Sequence, residues 1–214
     1  MMRQVPVLPT IVVAAAALLM VRLGFWQLHR LHEKQALAQV YAANLNRSPL
    51  PYVALFPVSD AALFRRSSAI CLEVVRWSTE AGRTAAGVPG WRHIASCRTG
   101  AEGPGIVVDV GVSGSPATPA WRGGQVRGRI TWAPSGEPLI ARLLRTSPLP
   151  TPMIVSEVAA PGLAPTAQPD PAAIPNNHLS YAVQWFLFAG VAVLIYAVAL
   201  WQRARRSGGA GTLP

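Results

Sequence analysis

The chain has 214 residues, of which 51% are hydrophobic and 13% charged, with 20 prolines and a formal charge of +10 at pH 7. That apolar content excludes a disordered polyelectrolyte, and the lack of any short repeat or longer period excludes collagen-like, solenoid and propeller chains. A mean hydropathy of +0.30 places part of the chain in lipid, and a pI near 11.2 would point to nucleic acid unless the positions of the charges say otherwise.

Residues 5–21 carry no charge, and the apolar run resumes after Arg22 as far as Leu28. A span takes about 20 mostly apolar residues at about 1.5 Å rise each. We therefore expect a cytoplasmic N-terminus over 1–8 and a first transmembrane helix over 9–28. Arg22 can snorkel on its long stem, and Trp26 falls at the water interface. A cleaved signal peptide is the alternative. Its candidate site at Ala36-Leu37-Ala38 lies far beyond the apolar run, after Arg30, Glu33 and Lys34, which favours an uncleaved anchor.

From His29 to Asn46 the positions of Leu31, Ala38, Tyr41, Ala42 and Leu45 recur with helical spacing, so the helix is expected to continue out of the span. Pro49 and Pro51 end it. A short helix is expected near 60–66 with Asp60 as N-cap. Strands are then expected near 68–77, 91–98, 105–112, 125–132, 138–144 and 153–159, separated by glycines and prolines. Eight prolines fall between 148 and 175. Residues 148–178 accordingly read as an extended tether, and 29–147 as a β-rich extramembrane domain.

If the first two strands pair antiparallel with Cys71 opposite Cys97, then Trp77 faces Trp91 on the same side and His93 faces Val75. Opposed positions approach to about 4.5 Å, within disulfide range. A Cys71–Cys97 disulfide is therefore expected, with two buried free thiols as the alternative.

The second apolar run is free of charge from Leu179 to Gln202. It gives a second transmembrane helix over 179–201 and a basic cytoplasmic tail over 202–214. Arg203, Arg205 and Arg206 follow it without an acidic neighbour, and Arg3 precedes the first run. The positive-inside bias then puts both termini in the cytoplasm and the middle domain outside. Residues 29–180 hold 14 Lys/Arg against all 9 Asp/Glu. Much of the basic excess is thus a topology signal, and nucleic acid loses its support as a partner. The fold class expected is a two-span membrane protein with one β-rich, α+β extramembrane domain.

No G-x-S-x-G, H-E-x-x-H, P-loop or dinucleotide-binding fingerprint occurs, so a binding or assembly role is expected rather than an enzyme. His29 and His32 lie just beyond the first span and read as solvated, and His93 reads as a hydrogen-bonded structural residue. His178 opens the second span, with Tyr181 and Trp185 on its helical face. An imidazole beside aromatic rings at a bilayer boundary suits an axial haem ligand, and an ordinary interfacial histidine is the alternative.

Residues 23–34, Leu-Gly-Phe-Trp-Gln-Leu-His-Arg-Leu-His-Glu-Lys, resemble the L-G-x-W-Q-x-x-R-x-x-x-K signature of the surfeit-locus-one (Surf-one, or Shy-one) family. Residues 176–186, Asn-Asn-His-Leu-Ser-Tyr-Ala-Val-Gln-Trp-Phe, resemble that family's N-N-H-L-x-Y-A-x-x-W-F signature. Between them the chain diverges. Val108-Asp109-Val110-Gly111-Val112 stands where the family carries an Asn-Arg-Gly-Trp-type motif and keeps only its glycine. The resemblance implies an assembly factor for haem-copper cytochrome c oxidase in the bacterial inner membrane. It would bind haem a and aid its insertion into subunit I, with haem A synthase as a further partner beside membrane lipid. His178 matches the family's haem-linked histidine. Tyr181, Trp185, Trp26, Gln27 and Arg30 would line the ligand, Arg30 pairing with a propionate. A haem-independent scaffold for an oxidase subunit is the alternative.

Overall fold

The computed structural model describes residues 6–55, 59–100, 105–135 and 150–209, with residues 207–209 described by their backbone alone. The strand expected near 138–144 lies outside the described residues. The described chain forms two compact units. One holds the segments up to Ala36 and from Pro175, and the other spans Leu37–Ile174.

Two helices dominate the first unit: α1, Val7–Asn44, and α2, His178–Gly209. Both are long and apolar enough to cross a membrane. Helix α1 has 38 residues, nearly twice the span requirement, and runs unbroken through the stretch expected to extend the span. It stops where Leu45, Asn46 and Arg47 turn back onto the carbonyls of Ala42, Ala43 and Asn44, a 3₁₀ tightening that satisfies the last turn.

Seven strands make the second unit: β1 Leu50–Pro51, β2 Arg66–Cys71, β3 Glu73–Arg83, β4 Pro89–Arg98, β5 Ile106–Ser113, β6 Gly124–Trp132 and β7 Pro152–Ser156. They form one mixed sheet in the order β1-β2-β6-β7-β5-β4-β3, with β1–β2 and β5–β7 parallel. The protein is thus a two-span membrane protein with an α+β domain between its spans. The short helix expected at 60–66 shrinks to one 3₁₀ turn, Asp60–Ala62, with Ser59 rather than Asp60 at its N-cap.

One main cluster fills the sheet's inner face. Val108, Val110, Val126, Ile130 and Ile154 pack there with Tyr52, Leu55, Leu63 and Phe64. Tyr41 and Asn44 at the end of α1 join them: Tyr41 stacks on Phe64, and Asn44 donates to the carbonyls of Ala61 and Leu63 at 2.7 and 2.9 Å. A smaller cluster of Ile94, Met153 and Val155 covers part of the opposite face. Burial on both faces explains the nearly unbroken apolar runs of β5 and β7.

The expected 148–178 tether is corrected over its first part, because β7 lies buried at the sheet's centre between β5 and β6. Its proline, Pro152, sits at the first position of the strand, where a missing N–H is tolerated.

The expected pairing of residues 68–77 with 91–98 is also corrected. The chain breaks at Leu72, and β2 joins β6 while β3 joins β4 at the far edge of the sheet. A β-bulge between Val74 and Arg76 then shifts the β3–β4 register. Trp77 faces Ala95, Trp91 faces Ala81, and His93 faces Thr79. The two cysteines nonetheless form a disulfide, Cys71–Cys97, with Cα atoms 5.3 Å apart. It joins β2 to β4, which stand four places apart in the sheet. The Leu72 N–H donates to the Arg98 carbonyl at the same corner, so the curled sheet is pinned where its two ends meet.

Candidate functional site

The two apolar helices pack through small residues. Gly24 is buried, and a Cβ there would lie 2.6 Å from the Phe186 ring. Ala182 and Ala189, one heptad apart on α2, are buried as well. Phe25 meets Phe186 edge-on at 5.3 Å, and Thr10 and Tyr196 share a hydrogen bond of 2.5 Å. These contacts set the antiparallel register of the pair.

That register brings Gln27 to His178. The His178 Nδ1 lies 2.7 Å from Gln27 Oε1, an amide oxygen that can only accept. Nδ1 therefore donates, and in the neutral ring the lone pair falls on Nε2, which has no partner among the described residues. A histidine whose distal nitrogen is bare while the other is held by an acceptor is oriented as metal-ligating histidines are. One imidazole nitrogen presented in this way could hold an iron carried by a macrocycle, were such a group to bind.

The remaining residues expected at this site are less closely gathered. Trp26 and Tyr181 are half exposed and Trp185 is half-buried, packed edge-on against Phe188 at 6.2 Å. Arg30 lies one turn beyond Gln27, but its Nη1 donates to Glu33 at 2.5 Å on its own helix. His29 also reaches Glu33, at 3.2 Å, and is exposed. Tyr181 and Trp185 were legible as the helix face of His178, whereas the Gln27 contact depends on register between helices and has no local signal.

A second polar cluster lies in the extramembrane unit and was not expected from the sequence. Asp109 is fully buried. Its Oδ2 accepts from Arg92 Nε and Nη2 at 2.8 and 2.7 Å, and its Oδ1 accepts from the Gly111 N–H at 3.0 Å and from Thr166 Oγ1 at 2.7 Å. Four donors thus meet the carboxylate, which is what a charge in this position requires. Gly111 has φ +136°, and a Cβ there would press on Leu163 and on the Ala164 carbonyl, so the glycine retained from the middle motif is demanded by backbone shape. The signal was a lone carboxylate inside the run Ile-Val-Val-Asp-Val-Gly-Val.

His93, next to Arg92, is buried, and its Nε2 lies 2.8 Å from Ser113 Oγ. The Ser113 hydroxyl proton is committed to the Ser115 carbonyl at 2.6 Å, so His93 donates. Burial pushes the His93 pKa down, opposed in part by hydrogen bonding near Ser115 and by the Asp109 charge. This histidine is structural.

Comparison with curated proteins returns no match. The family comparison is decisive: the SURF1 family matches residues 14–190, from within the first apolar helix to within the second. That range includes both helix-exit signatures, the disulfide-pinned sheet and the Gln27–His178 pair, and the chain belongs to the SURF1 family, whose members are associated with the assembly of cytochrome c oxidase.

Proposed function

We propose that the chain acts in oxidase assembly as a non-catalytic carrier of haem a, aiding its insertion into subunit I. The observation that carries this reading is the Gln27–His178 hydrogen bond, which leaves Nε2 as a free, oriented donor at the start of α2. Haem a is cargo here. His178 would hold its iron, the exposed faces of Trp26 and Tyr181 offer apolar surface for the macrocycle, and Trp185 supports the helix behind them. Arg30, already neutralised on one side by Glu33, keeps further N–H groups for a propionate. The arginines in the C-terminal part of α2 and the uncharged runs favour both termini in the cytoplasm and the sheet domain in the periplasm of a bacterial inner membrane. Haem A synthase is the natural donor for such cargo.

The test is spectroscopic. Full-length protein purified in detergent from cells making haem A should carry a haem absorption spectrum, and His178→Ala should lose most of it. Wild-type protein without haem under those conditions, still co-purifying with subunit I, would identify a scaffold instead.

A further inference from the structure

Strand β3 forms one edge of the sheet, and its 11 residues make it the longest strand among the described residues. The neighbouring chain covers only its far end, where the Ala167 N–H donates to the Arg83 carbonyl and the Ala85 N–H to the Pro165 carbonyl. The rest of the edge offers a row of backbone donors and acceptors to a further strand. Beyond the bulge, Arg76, Ser78 and Glu80 share one face, since they pair in turn with Ser96, Ile94 and Arg92. Arg76 and Ser78 are exposed and Glu80 is half-buried. The charges nearest to them are already committed, Arg92 to Asp109 and Glu73 to Arg98. Arg76 and Glu80 themselves make no ion pair among the described residues. Four residues apart on a strand that rises about 3.3 Å per residue, they stand about 13 Å from each other and cannot pair within one chain.

We propose that β3 pairs antiparallel with β3 of a second copy of this chain, across a two-fold axis at Ser78, joining the two sheets into one. Ser78 then faces its own counterpart, and Arg76 of each copy faces Glu80 of the other. Opposed positions approach to about 4.5–5.5 Å, so both unpaired charges gain a partner, and the symmetry makes the contact twice. The same pattern rejects neighbouring registers. Sliding the second strand by two residues sets one of these charges against Ser78. Sliding it by four sets Arg76 against Arg76 or Glu80 against Glu80. One edge that serves both copies closes at a dimer and leaves no further strand to recruit. The contact lies in the extramembrane unit, apart from His178, and its test does not involve haem.

The experiment is disulfide cross-linking of the full-length chain in native membranes. The two cysteines of the chain are bonded to each other, so Ser78→Cys carries the one free thiol. Mild oxidation should give a covalent dimer of twice 22.7 kDa on a non-reducing gel. Val158→Cys, at a position 79% exposed but outside β3, should stay monomeric. In detergent, light scattering on the wild type should give the mass of a dimer. Arg76→Glu alone and Glu80→Arg alone should each weaken association ten-fold or more, and the double swap Arg76→Glu/Glu80→Arg should restore it. Circular dichroism checks that every variant is folded. The proposal is overturned if the Ser78→Cys thiol does not cross-link, or links to a different protein. It is equally overturned if the double swap associates as weakly as the single variants. A chain that stays monomeric in membranes and in detergent would instead assign Arg76, Glu80 and the bulge to guarding the edge against association.

Discussion

Arg92 and Asp109 form a two-point ion pair in which the carboxylate is wholly buried and the guanidinium is about one-fifth exposed. Removing one partner of such a pair strands the other charge, at a cost of about 3–5 kcal/mol for a fully buried case. Partial exposure of Arg92 brings the expected loss for Arg92→Met to the lower end of that range. Asp109→Asn keeps the shape but makes one acceptor a donor facing donors, so it should also destabilise, by about 1–3 kcal/mol. Denaturant unfolding of the full-length protein, followed by tryptophan fluorescence, measures both.

The Cys71–Cys97 bridge closes a loop with a sequence separation of 26 residues. Loop-closure entropy for that length corresponds to about 3.5 kcal/mol. The double variant Cys71→Ala/Cys97→Ala should lose roughly that much. Protection of the β2–β3 corner in hydrogen exchange should fall before that of β7. Equal loss across all strands would show that the bridge does not act locally.

Gly24 sets how closely the two helices approach. Gly24→Leu should force the Phe186 ring away, separate Gln27 from His178 and lower both the melting temperature and haem retention. Gly24→Ala should cause a smaller loss of the same kind, and shortening the opposing side chain, in Gly24→Ala/Phe186→Leu, should recover most of it, because the clash is with the end of a side chain. A glycine needed only for backbone flexibility would gain nothing from that second change.

Gln27→Leu is nearly isosteric but removes the acceptor that fixes the His178 tautomer. Loss of such an outer partner typically weakens metal binding by about 10–100-fold. Haem retention should therefore fall while His178 remains in place, and Gln27→Glu, which preserves an acceptor, should restore it. Unchanged retention in Gln27→Leu would remove the hydrogen bond from the account of the site.

Stability should depend on pH through His93. Its folded pKa is depressed by burial below the usual value of 6.5. The unfolded chain therefore binds the proton more readily. The contribution of neutral His93 is fully present above about pH 6.5 and is lost as pH falls through the folded pKa. Unfolding midpoints measured between pH 7.5 and 5 should decline, and His93→Gln should flatten that slope. A slope unaltered in the variant assigns the titration to another group.

The spans and the helix beyond the first were legible because periodicity and the absence of charge are local properties. Four of the expected strands, those near 91–98, 105–112, 125–132 and 153–159, fell close to their observed positions for the same reason. The register did not, because Cys71 lies on a strand that does not pair with β4, so β3 meets β4 from Val74 opposite Cys97, and the unmarked bulge at Val75 shifts the later pairs by one more. The disulfide partners were right although the strands that carry them were not neighbours. At the membrane edge, His178 stood out by its surroundings along the chain. Its partner lies 151 residues away, and packing between the two helices, as of Gly24 against Phe186, brings the two together.

The central position of β7 has a consequence for biogenesis. Before Pro152–Ser156 leaves the ribosome, the domain consists of two half-sheets, β1-β2-β6 and β5-β4-β3, each with an open edge. Completion waits for a strand that ends only 22 residues before α2 begins at His178. Folding of the extramembrane domain and arrival of the second membrane helix are therefore nearly simultaneous events in synthesis. Any partner that protects the open edges of β5 and β6 must act on the nascent chain, while it is still held by its first helix alone.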